Sequence, residues 1–304
     1  MAKFSAQSLQ LLVLIRGRLR HVTRVLWADP QYHGLAIRFL RAYAWLDVVI
    51  RFGRRPNRSD LRFNDFLYAL KVSEDIASPL RKRITDKFLA KAYVEERLGP
   101  GTTVPTLAVL DTAEAIARFR PAVYPVAVKP THSSGQLIRI GSEEEWQANL
   151  EPMTAWLSHD YFRQSLERNY SGLAKRVIVE PWLDESLFLE GSVHCRGGVP
   201  KVVSIIERYK KARQSYTPDR RALGVSLGFP TTEFHLTKWD FLDPVLVAAA
   251  RLAEGLSYIR VDFYTDGQRL VFGELTSLPA AGVGRFYPDG GEEIFSAAFF
   301  ASPP

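Results

Sequence analysis

The sequence predicts an α+β protein in which antiparallel hairpins alternate with helices, preceded by a helical N-terminal segment. Three observations carry this. Apolar residues recur every three or four positions over 5–27 and 34–52, the period of a helix buried on one side. From residue 106 onward, short runs of alternating apolar residues appear, the pattern of strands with one buried face. Several of those runs double back through short turn-forming segments, two of them through glycine turns at Gly197-Gly198 and Asp266-Gly267.

Composition narrows the class. The 304 residues, 46% hydrophobic and 24% charged, suit an ordinary soluble globular chain of two or three lobes. A single cysteine, Cys195, excludes an internal disulfide and fits a reducing, cytoplasmic setting. The opening MAKFSAQSLQLLVLIRGRLR runs into arginines without a small-residue cleavage site, so no signal peptide is expected. No apolar run approaches the ~20 residues that span a bilayer. Charge is unevenly placed. Residues 1–60 hold eleven basic and three acidic side chains, net +8, while the other 244 residues carry −1. A nucleic-acid binder would charge its main body too, so no nucleic-acid partner is expected.

Taken in order, residues 5–27 place Leu12, Ile15, Leu19, Val22 and Leu26 on one helical stripe, with Arg16, Arg18, Arg20 and Arg24 mostly off it. Pro30 ends that helix. A second, over 34–52, aligns Ile37, Leu40, Tyr43, Leu46 and Ile50, and RRPNRSD (54–60) is a turn-rich linker. Residues 61–98 read as helical pieces, the last with Thr85 as N-cap and Gly99 as stop. TLAVLD (106–111) is a strand and 112–119 a helix. YPVAVK (124–129) and QLIRI (136–140) are strands joined by the loop PTHSSG (130–135). Residues 142–175 are largely helical, and RVIVEPWL (176–183) is a strand with a proline just past its end. LEGSVHCR and PKVVSII form a hairpin turned at Gly197-Gly198. LDPVLVAAARLAEGL (242–256) is a helix, followed by the hairpin SYIRVDFYTDGQRLVFGELTSLPAAG (257–282).

That last hairpin carries the chemistry. Asp262 and Glu274 sit within apolar alternation on its two strands. The bland readings are an acid paired with Arg260 and an edge-strand surface residue. Two such acids on neighbouring strands favour a divalent cation, because buried carboxylates need a neutralising charge and Mg²⁺ prefers carboxylate and phosphate oxygens. Strand parity sharpens the test. With a two-residue turn at Asp266-Gly267, residue 265 pairs with 268 and 262 with 271, and Glu274 points away from Asp262. The acids share a face only if the pairing shifts by an odd number, and Gly273 is the residue to hold such a bulge.

Two further stretches suit a nucleotide. Lys129 ends a strand and precedes Ser133, Ser134 and Gly135, whose backbone amides can face an anion. A surface hairpin explains that stretch equally well, and neither of the common glycine-rich phosphate motifs is present. Glu180, Pro181, Trp182 and Leu183 leave a buried strand beside apolar side chains, a setting for a flat purine or simply for a strand leaving its domain. Glu190, ten positions on, can accept from ribose hydroxyls. Cys195 and His194 are neighbours on a strand and point opposite ways, which argues against a Cys-His dyad. The histidines show no metal-ligand spacing.

In their order, FNDFLYALK (63–71), TDKFLAKAYVEERLG (85–99), VAVKPTHSSG (126–135), RVIVEPWL (176–183), CRGGVPK (195–201) and IRVDFYTDGQRLVFGELTSLPAAG (259–282) resemble the ATP-grasp superfamily, in its TupA-like branch, over about residues 61–290. The resemblance implies an ATP-grasp fold: a basic helical segment (1–60), a first lobe (61–120), a small lid (121–183) and a large subdomain with the metal site (184–304). It implies ATP and Mg²⁺ as cofactors. Lys129 would bind phosphate, with His132, Ser133, Ser134 and Gly135 as the mobile loop over it. Glu180, Pro181, Trp182 and Leu183 would read adenine, and Glu190 would hold the ribose. Asp262 and Glu274 would hold Mg²⁺, Arg260 would stabilise acyl-phosphate oxygens, and Lys87 would contact the nucleotide from the first lobe. The implied activity is ATP-dependent carboxylate–amine ligation in cell-surface polymer biosynthesis, on a small-molecule, glycan or peptide carboxylate with an amine co-substrate. A kinase-like phosphotransferase on a glycan and a catalytically weakened nucleotide-binding scaffold are the alternatives. Two positions depart from the family pattern. Thr276 stands where many superfamily members have Asn. Glu190-Gly191-Ser192 replaces an Asp-Tyr-Lys string, which removes a cation that Arg208, Lys210 or Lys211 would have to supply. For the basic N-terminal helix, packing on the body with a solvated face stands beside peripheral attachment at the inner face of the membrane.

Overall fold

The computed structural model describes residues 5–57, 62–184, 188–207, 212–231, 236 and 238–302. The chain opens on a helical hairpin, α1 (Ala6–Trp27) and α2 (His33–Phe52). Ser5 caps α1 by accepting from the Ser8 amide, and Gly53 ends α2 in the left-handed conformation. Of α1 only Thr23 is fully buried, whereas α2 buries Ala36, Leu40, Ala44, Leu46, Val48 and Val49. Three helices follow: α3 (Phe63–Val72), α4 (Pro79–Thr85) and α5 (Lys87–Leu98). The expected cap Thr85 is instead the last residue of α4. Asp86 caps α5, accepting from the amides of Phe88 and Leu89 at 3.0 and 3.1 Å. A carboxylate does this better than a threonine hydroxyl because it also meets the positive end of the helix dipole.

The small lobe comprises β1 (Ala108–Leu110), α6 (Ala113–Arg118), β2 (Val126–Pro130), β3 (Ile138–Ile140), α7 (Glu143–Ala148), α8 (Leu150–Trp156), α9 (Tyr161–Ser165) and β4 (Val177–Pro181). Its antiparallel sheet runs β1-β4-β2-β3. β1 lies in the stretch expected to be part of the first lobe, yet its hydrogen bonds go to β4 of the lid. Helices α6 to α8 cover one face, and Trp146 and Met153 fill the core between sheet and helices. The region 142–175 is broken into three short helices by Asn149, Asp160 and their neighbours rather than forming longer ones.

The large lobe is built on β5 (Leu189–Arg196), β6 (Val199–Glu207), β7 (Ala212–Tyr216), the short β8 (Ser226–Leu227), α10 (Leu242–Leu252), β9 (Tyr258–Thr265), β10 (Leu270–Thr276), β11 (Phe286–Tyr287) and α11 (Gly291–Phe300). Its main sheet runs β10-β9-β5-β6-β7, all antiparallel; β8 and β11 form a separate pair. One face of the main sheet is apolar. Val193, Cys195, Val203, Ile205, Ile259, Val261, Phe263, Phe272 and Leu275 pack there against Leu242, Val245, Ala249 and Leu252 of α10 and Tyr93 and Val94 of α5. Each fully buried Leu, Val or Ile in that layer contributes roughly 1.5–3 kcal/mol. Alternation then forces the other residues of the same strands onto the opposite, polar face. A second core, around Phe63 with Phe295 and Phe299, seats α3 and α11 beside the sheet.

The N-terminal hairpin reaches both lobes. Ala44 and Val48 pack on Tyr68 and Val72 of α3, while Leu40 packs on Phe162 and Leu166 next to α9.

Candidate functional site

The polar face of the large sheet gathers the acids expected to hold a metal. In β9 the alternate residues Arg260, Asp262 and Tyr264 face it, next to Glu190, Ser192 and His194 of β5. Whether Glu274 joins them depends on register. Thr265 pairs with Leu270, not with 268, because the turn holds four residues. Asp266 makes the longer turn by accepting from the amides of Gln268 and Arg269 at 3.0 and 2.7 Å, which holds its carboxyl down at about 2. A longer loop shifts the pairing by two and preserves parity. The odd step comes at Gly273, where the register breaks between Phe272 and Glu274. Glu274 therefore lies directly opposite Asp262, and Phe272 and Leu275, three apart, both enter the core. Gly273 is confined as well: a Cβ there would come 2.5 Å from Tyr264 Cε2.

Asp262 is held by Arg260, which donates from Nε and Nη2 to its two oxygens at 2.7 and 2.6 Å and from Nη2 to Thr276 Oγ1 at 3.0 Å. The bland reading of Asp262 as Arg260's partner and its place opposite Glu274 are thus both realised. Burial pushes the Asp262 carboxyl up to about 6; Arg260 opposes this, and Glu274 and Glu190 add to it. For Glu274, burial pushes upward, but Lys87, Arg260 and Lys129 together hold it below its usual value. Two crowded carboxylates facing one cavity are a donor set that suits a hard dication. Among the described residues no group of three His, Cys, Asp or Glu side chains forms a metal cage. Asp262 and Glu274 would hold such an ion jointly with phosphate oxygens and water, the usual Mg²⁺ arrangement.

A cleft between the two lobes leads to this site. It encloses about 820 Å³ of space open to solvent. Ala127, Lys129, Leu137, Glu180, Pro181, Trp182 and Leu183 line it from the small lobe, and Phe188, Glu190, Tyr264, Phe272 and Gly273 from the large one. Glu190 and Tyr264 also line a second, more polar cavity that holds Arg260, Asp262 and Glu274. The two spaces therefore meet at those residues: an apolar slot at one end, carboxylates at the other.

Lys129 faces this cleft from β2. Its ammonium is 2.6 Å from Glu180 Oε2, and Glu180 is buried. The other Glu180 oxygen pairs with Lys91, a residue that sequence reasoning missed. Lys91 also donates to Val104 O at 2.6 Å and Thr106 Oγ1 at 2.9 Å. The signal was present, since Lys91 follows Lys87 by four residues on α5 and so shares its face. Glu180, near the end of β4, thus anchors two lysines. Trp182 lines the slot, but its amide donates to Pro125 O at 3.2 Å, so it is not offered to a purine.

Lys87 is brought close to Glu274 of β10. Asp86, fixed by Arg176 at 2.8 Å, sets the start of α5. The Lys87 amide donates to Thr131 O at 3.0 Å, and its ammonium donates to Ser133 O and stands 3.9 Å from Glu274 Oε1. Burial pulls this ammonium below its usual range, and Glu274 opposes that shift. Ser133 thus joins the site through its carbonyl, and Gly135 turns the loop at φ +77°.

His132 does not join. Its ring is buried, with Nε2 at 3.0 Å from Trp156 O, and burial pulls its pKa down. A strand-end position one residue after Thr131 turns it into the small-lobe core rather than over the cleft. The expected replacements for the missing lysine, Arg208, Lys210 and Lys211, lie outside the described residues. Arg213 of β7, which sequence reasoning did not single out, lines the polar cavity with Ser192 and Ser204. Gly191 has a packing reason: a Cβ there would come 2.3 Å from Phe263 Cζ, which leaves no room for a tyrosine. Cys195 is buried in the core with its thiol pushed up by burial, while His194 lies on the other face, bonded to the Tyr258 hydroxyl at 2.9 Å.

A further group went unread in the sequence. Tyr161 and Tyr170 stack edge to face at 4.6 Å near Ser134. Burial raises both phenols, to about 12 for Tyr161, and the charges of Glu167 and Glu274 add to this in each. Glu167 is itself buried and pushed up to about 7 by burial, with Lys71 pulling it down. Tyr161, Glu167 and Tyr170 lie within ten residues of one another, and the fold brings that stretch within reach of Glu274, more than 100 positions away.

The family model for TupA-like ATP-grasp proteins matches residues 68–300. The chain belongs to the TupA-like ATP-grasp family. The ATP-grasp fold expected from the sequence is the one observed: two lobes with antiparallel sheets around a cleft, with α1 and α2 preceding them. None of the curated proteins matches the chain. Among solved structures, the chain is similar to D-alanine–D-alanine ligase from Bacillus anthracis complexed with ATP (15% identity, 64% of this chain and 54% of that one, TM-score 0.40). It is similar also to D-alanine–D-alanine ligase from Helicobacter pylori (15% identity, 71% and 61%, TM-score 0.46). A third is the ATP-grasp ligase PsnB complexed with minimal precursor, Mg and ADP (16% identity, 66% and 52%, TM-score 0.40). The chain spans between about half and three-fifths of the length of these structures.

Proposed function

We propose that this TupA-like ATP-grasp protein is an ATP- and Mg²⁺-dependent carboxylate–amine ligase of the cytoplasm. The observation that carries the reading is the Gly273 bulge, which sets Glu274 opposite Asp262 at the end of a cleft that also holds Lys129, Lys91 and Trp182. A purine would enter the slot beside Trp182 and Leu183, the ribose would meet Glu190, and the phosphates would run past Lys129 and Lys91 towards Lys87. Bound with the nucleotide, Mg²⁺ would supply charge neutralisation between the phosphates and the two acids. The remaining work is done by the chain's own residues. Lysines on both lobes fix the phosphates, and Arg260, bridged to Asp262 and Thr276, presents positive charge where oxygen charge develops. The substrate carboxylate attacks the γ-phosphorus and ADP leaves. An amine then attacks the acyl phosphate, losing a proton and releasing inorganic phosphate as the amide forms. The polar cavity floored by Ser192, Ser204 and Arg213 is large enough to admit a sugar acid or amino acid, in keeping with a cell-surface polymer as the destination.

The test is ADP release across a panel of amino acids and uronic acids, with hydroxylamine as the trapping nucleophile. A hydroxamate from at least one carboxylate is the expected product. ADP release with phosphate on a glycan hydroxyl, and no hydroxamate, would move the assignment to a phosphotransferase. Ser192 favours one second reading: without the family lysine beside Asp262, the protein would be a nucleotide-binding scaffold. Nucleotide binding with no ADP from any mixture would support that reading.

A further inference from the structure

The N-terminal hairpin has a surface that the cleft does not use. On α1, Leu11, Leu14, Ile15 and Val25 are 58%, 66%, 40% and 58% exposed. Spaced three, four and fourteen residues from Leu11, they lie along one side of the helix. The packed side, around Thr23, is turned roughly 120° away towards α2. Leu9 and Val13, also exposed, make the first half of the helix apolar on nearly every side. So contiguous an apolar surface on a folded protein marks an interaction site.

The charge around it says what it meets. Helix α1 carries Arg16, Arg18, Arg20 and Arg24 and no acid. Arg16 is neutralised by Asp47 at 2.8 Å. Arg20 and Arg24, on the side of the helix turned away from the stripe, donate to the carbonyls of Gln164 and Arg163, which carry no formal charge. Burial pulls the Arg24 pKa down and Arg20 and Arg163 add to this, while Tyr43 and Asp160 oppose it. Arg18 lies within the apolar stripe. A second copy of the chain would bring two segments of net +8 together, which disfavours self-association through this face. An anionic lipid surface accepts both features, and among the described residues no helix is long and apolar enough to cross a membrane.

We propose that α1 lies in the plane of an anionic membrane surface, with Leu11, Leu14, Ile15 and Val25 entering the boundary between headgroups and acyl chains, Arg18 meeting the headgroups, and the net +8 of residues 1–60 drawing the segment to the surface. An interfacial helix enters to a depth of about 5–10 Å, which side chains on one face can reach. Arg18 keeps its charge at headgroup level by lying its methylene stem along the apolar stripe. The cleft stays in water, so the attachment is independent of what reaction the site performs.

The experiment is flotation of the full chain with vesicles of phosphatidylcholine alone and of phosphatidylcholine mixed with phosphatidylserine. Binding to the mixed vesicles, at least tenfold weaker on the neutral ones and in high salt, is expected. The double variant Leu11→Glu/Leu14→Glu should lose it, with an unchanged melting temperature because neither residue is in a core. Arg18→Gln should weaken it about fivefold, the effect of one basic residue at such a surface. No binding to the mixed vesicles, equal binding to both kinds, or full binding by the double variant would each overturn the proposal. So would size-exclusion data showing a wild-type dimer that the double variant dissociates, since the face would then join two copies.

Discussion

Glu274 lies across β9–β10 from Asp262 only because Gly273, one residue before it, has no partner in the ladder. The bulge is narrow, with Tyr264 closing the space a side chain would need. Gly273→Ala should therefore force the tyrosine aside or straighten the strand. Either change moves Glu274 by a fraction of an ångström to a full parity step. Nucleotide-dependent activity should fall on the order of 100-fold, the scale of a misplaced catalytic group. The melting temperature should drop by the equivalent of about 1–3 kcal/mol for overpacking. Paired ADP-release and thermal-melting measurements check both.

Glu180 compensates Lys129 and Lys91 at once, from a position with 4% side-chain exposure. Replacing it with Gln leaves two lysines facing each other without their shared acid. Loss of one partner from a buried ion pair costs about 3 kcal/mol. Glu180→Gln should destabilise the protein by roughly that amount, and the double change Glu180→Gln/Lys91→Met should recover part of it. Urea denaturation of the wild type, Glu180→Gln, Lys91→Met and the double variant decides; additive losses in the double variant would count against the shared-anchor role.

Glu167 supplies a pH test. Its carboxyl is raised from 4.5 to about 7 in the folded protein. A folded state that holds its proton more tightly than the unfolded chain is favoured at low pH. That advantage is lost as pH rises through the window from 4.5 to about 7. The loss at pH 8 is on the order of 3 kcal/mol. Glu167→Gln should leave stability at pH 4 nearly unchanged and raise it at pH 8, which flattens the profile. A variant less stable than wild type at pH 8 would mean that the ionised carboxylate has a stabilising partner.

Much of the site was readable from residue chemistry. Asp262 and Glu274 stood out because acids inside apolar alternation need a cation, and parity left Gly273 as the place to bring them together. The four-residue turn was not readable, because Asp-Gly suits a two-residue hairpin and only the Asp266 bonds to two amides favour the longer one. The role of Lys91 was not legible, since its partner Glu180 is 89 positions away. His132 belongs to the expected phosphate loop only by its place in the sequence. Sequence order could not reveal that its ring turns to Trp156. Tyr161, Tyr170 and Glu167 carry no motif, and their meeting near Glu274 is a tertiary fact.

The Gly191-Ser192 departure separates into two parts. At 191, Phe263 occupies the space a side chain would fill. Gly191→Tyr should therefore unfold or severely destabilise the protein, read as loss of cooperative melting. Ser192 pairs with Asp262 across β5–β9 and borders the polar cavity. Ser192→Lys should fold and tighten nucleotide binding several-fold by restoring a cation near the phosphates. Unchanged affinity would indicate that the cations already present meet that need.

The central claim is that Asp262 and Glu274 together hold a divalent ion on the nucleotide. Calorimetric titration of a non-hydrolysable ATP analogue, with and without Mg²⁺, tests it without knowledge of the substrate. Wild-type protein should bind the analogue with Mg²⁺ and lose at least tenfold in affinity when the metal is chelated, and Asp262→Asn and Glu274→Gln should each abolish that metal dependence. Equal binding by all three proteins, with Mg²⁺ or without it, would contradict the claim.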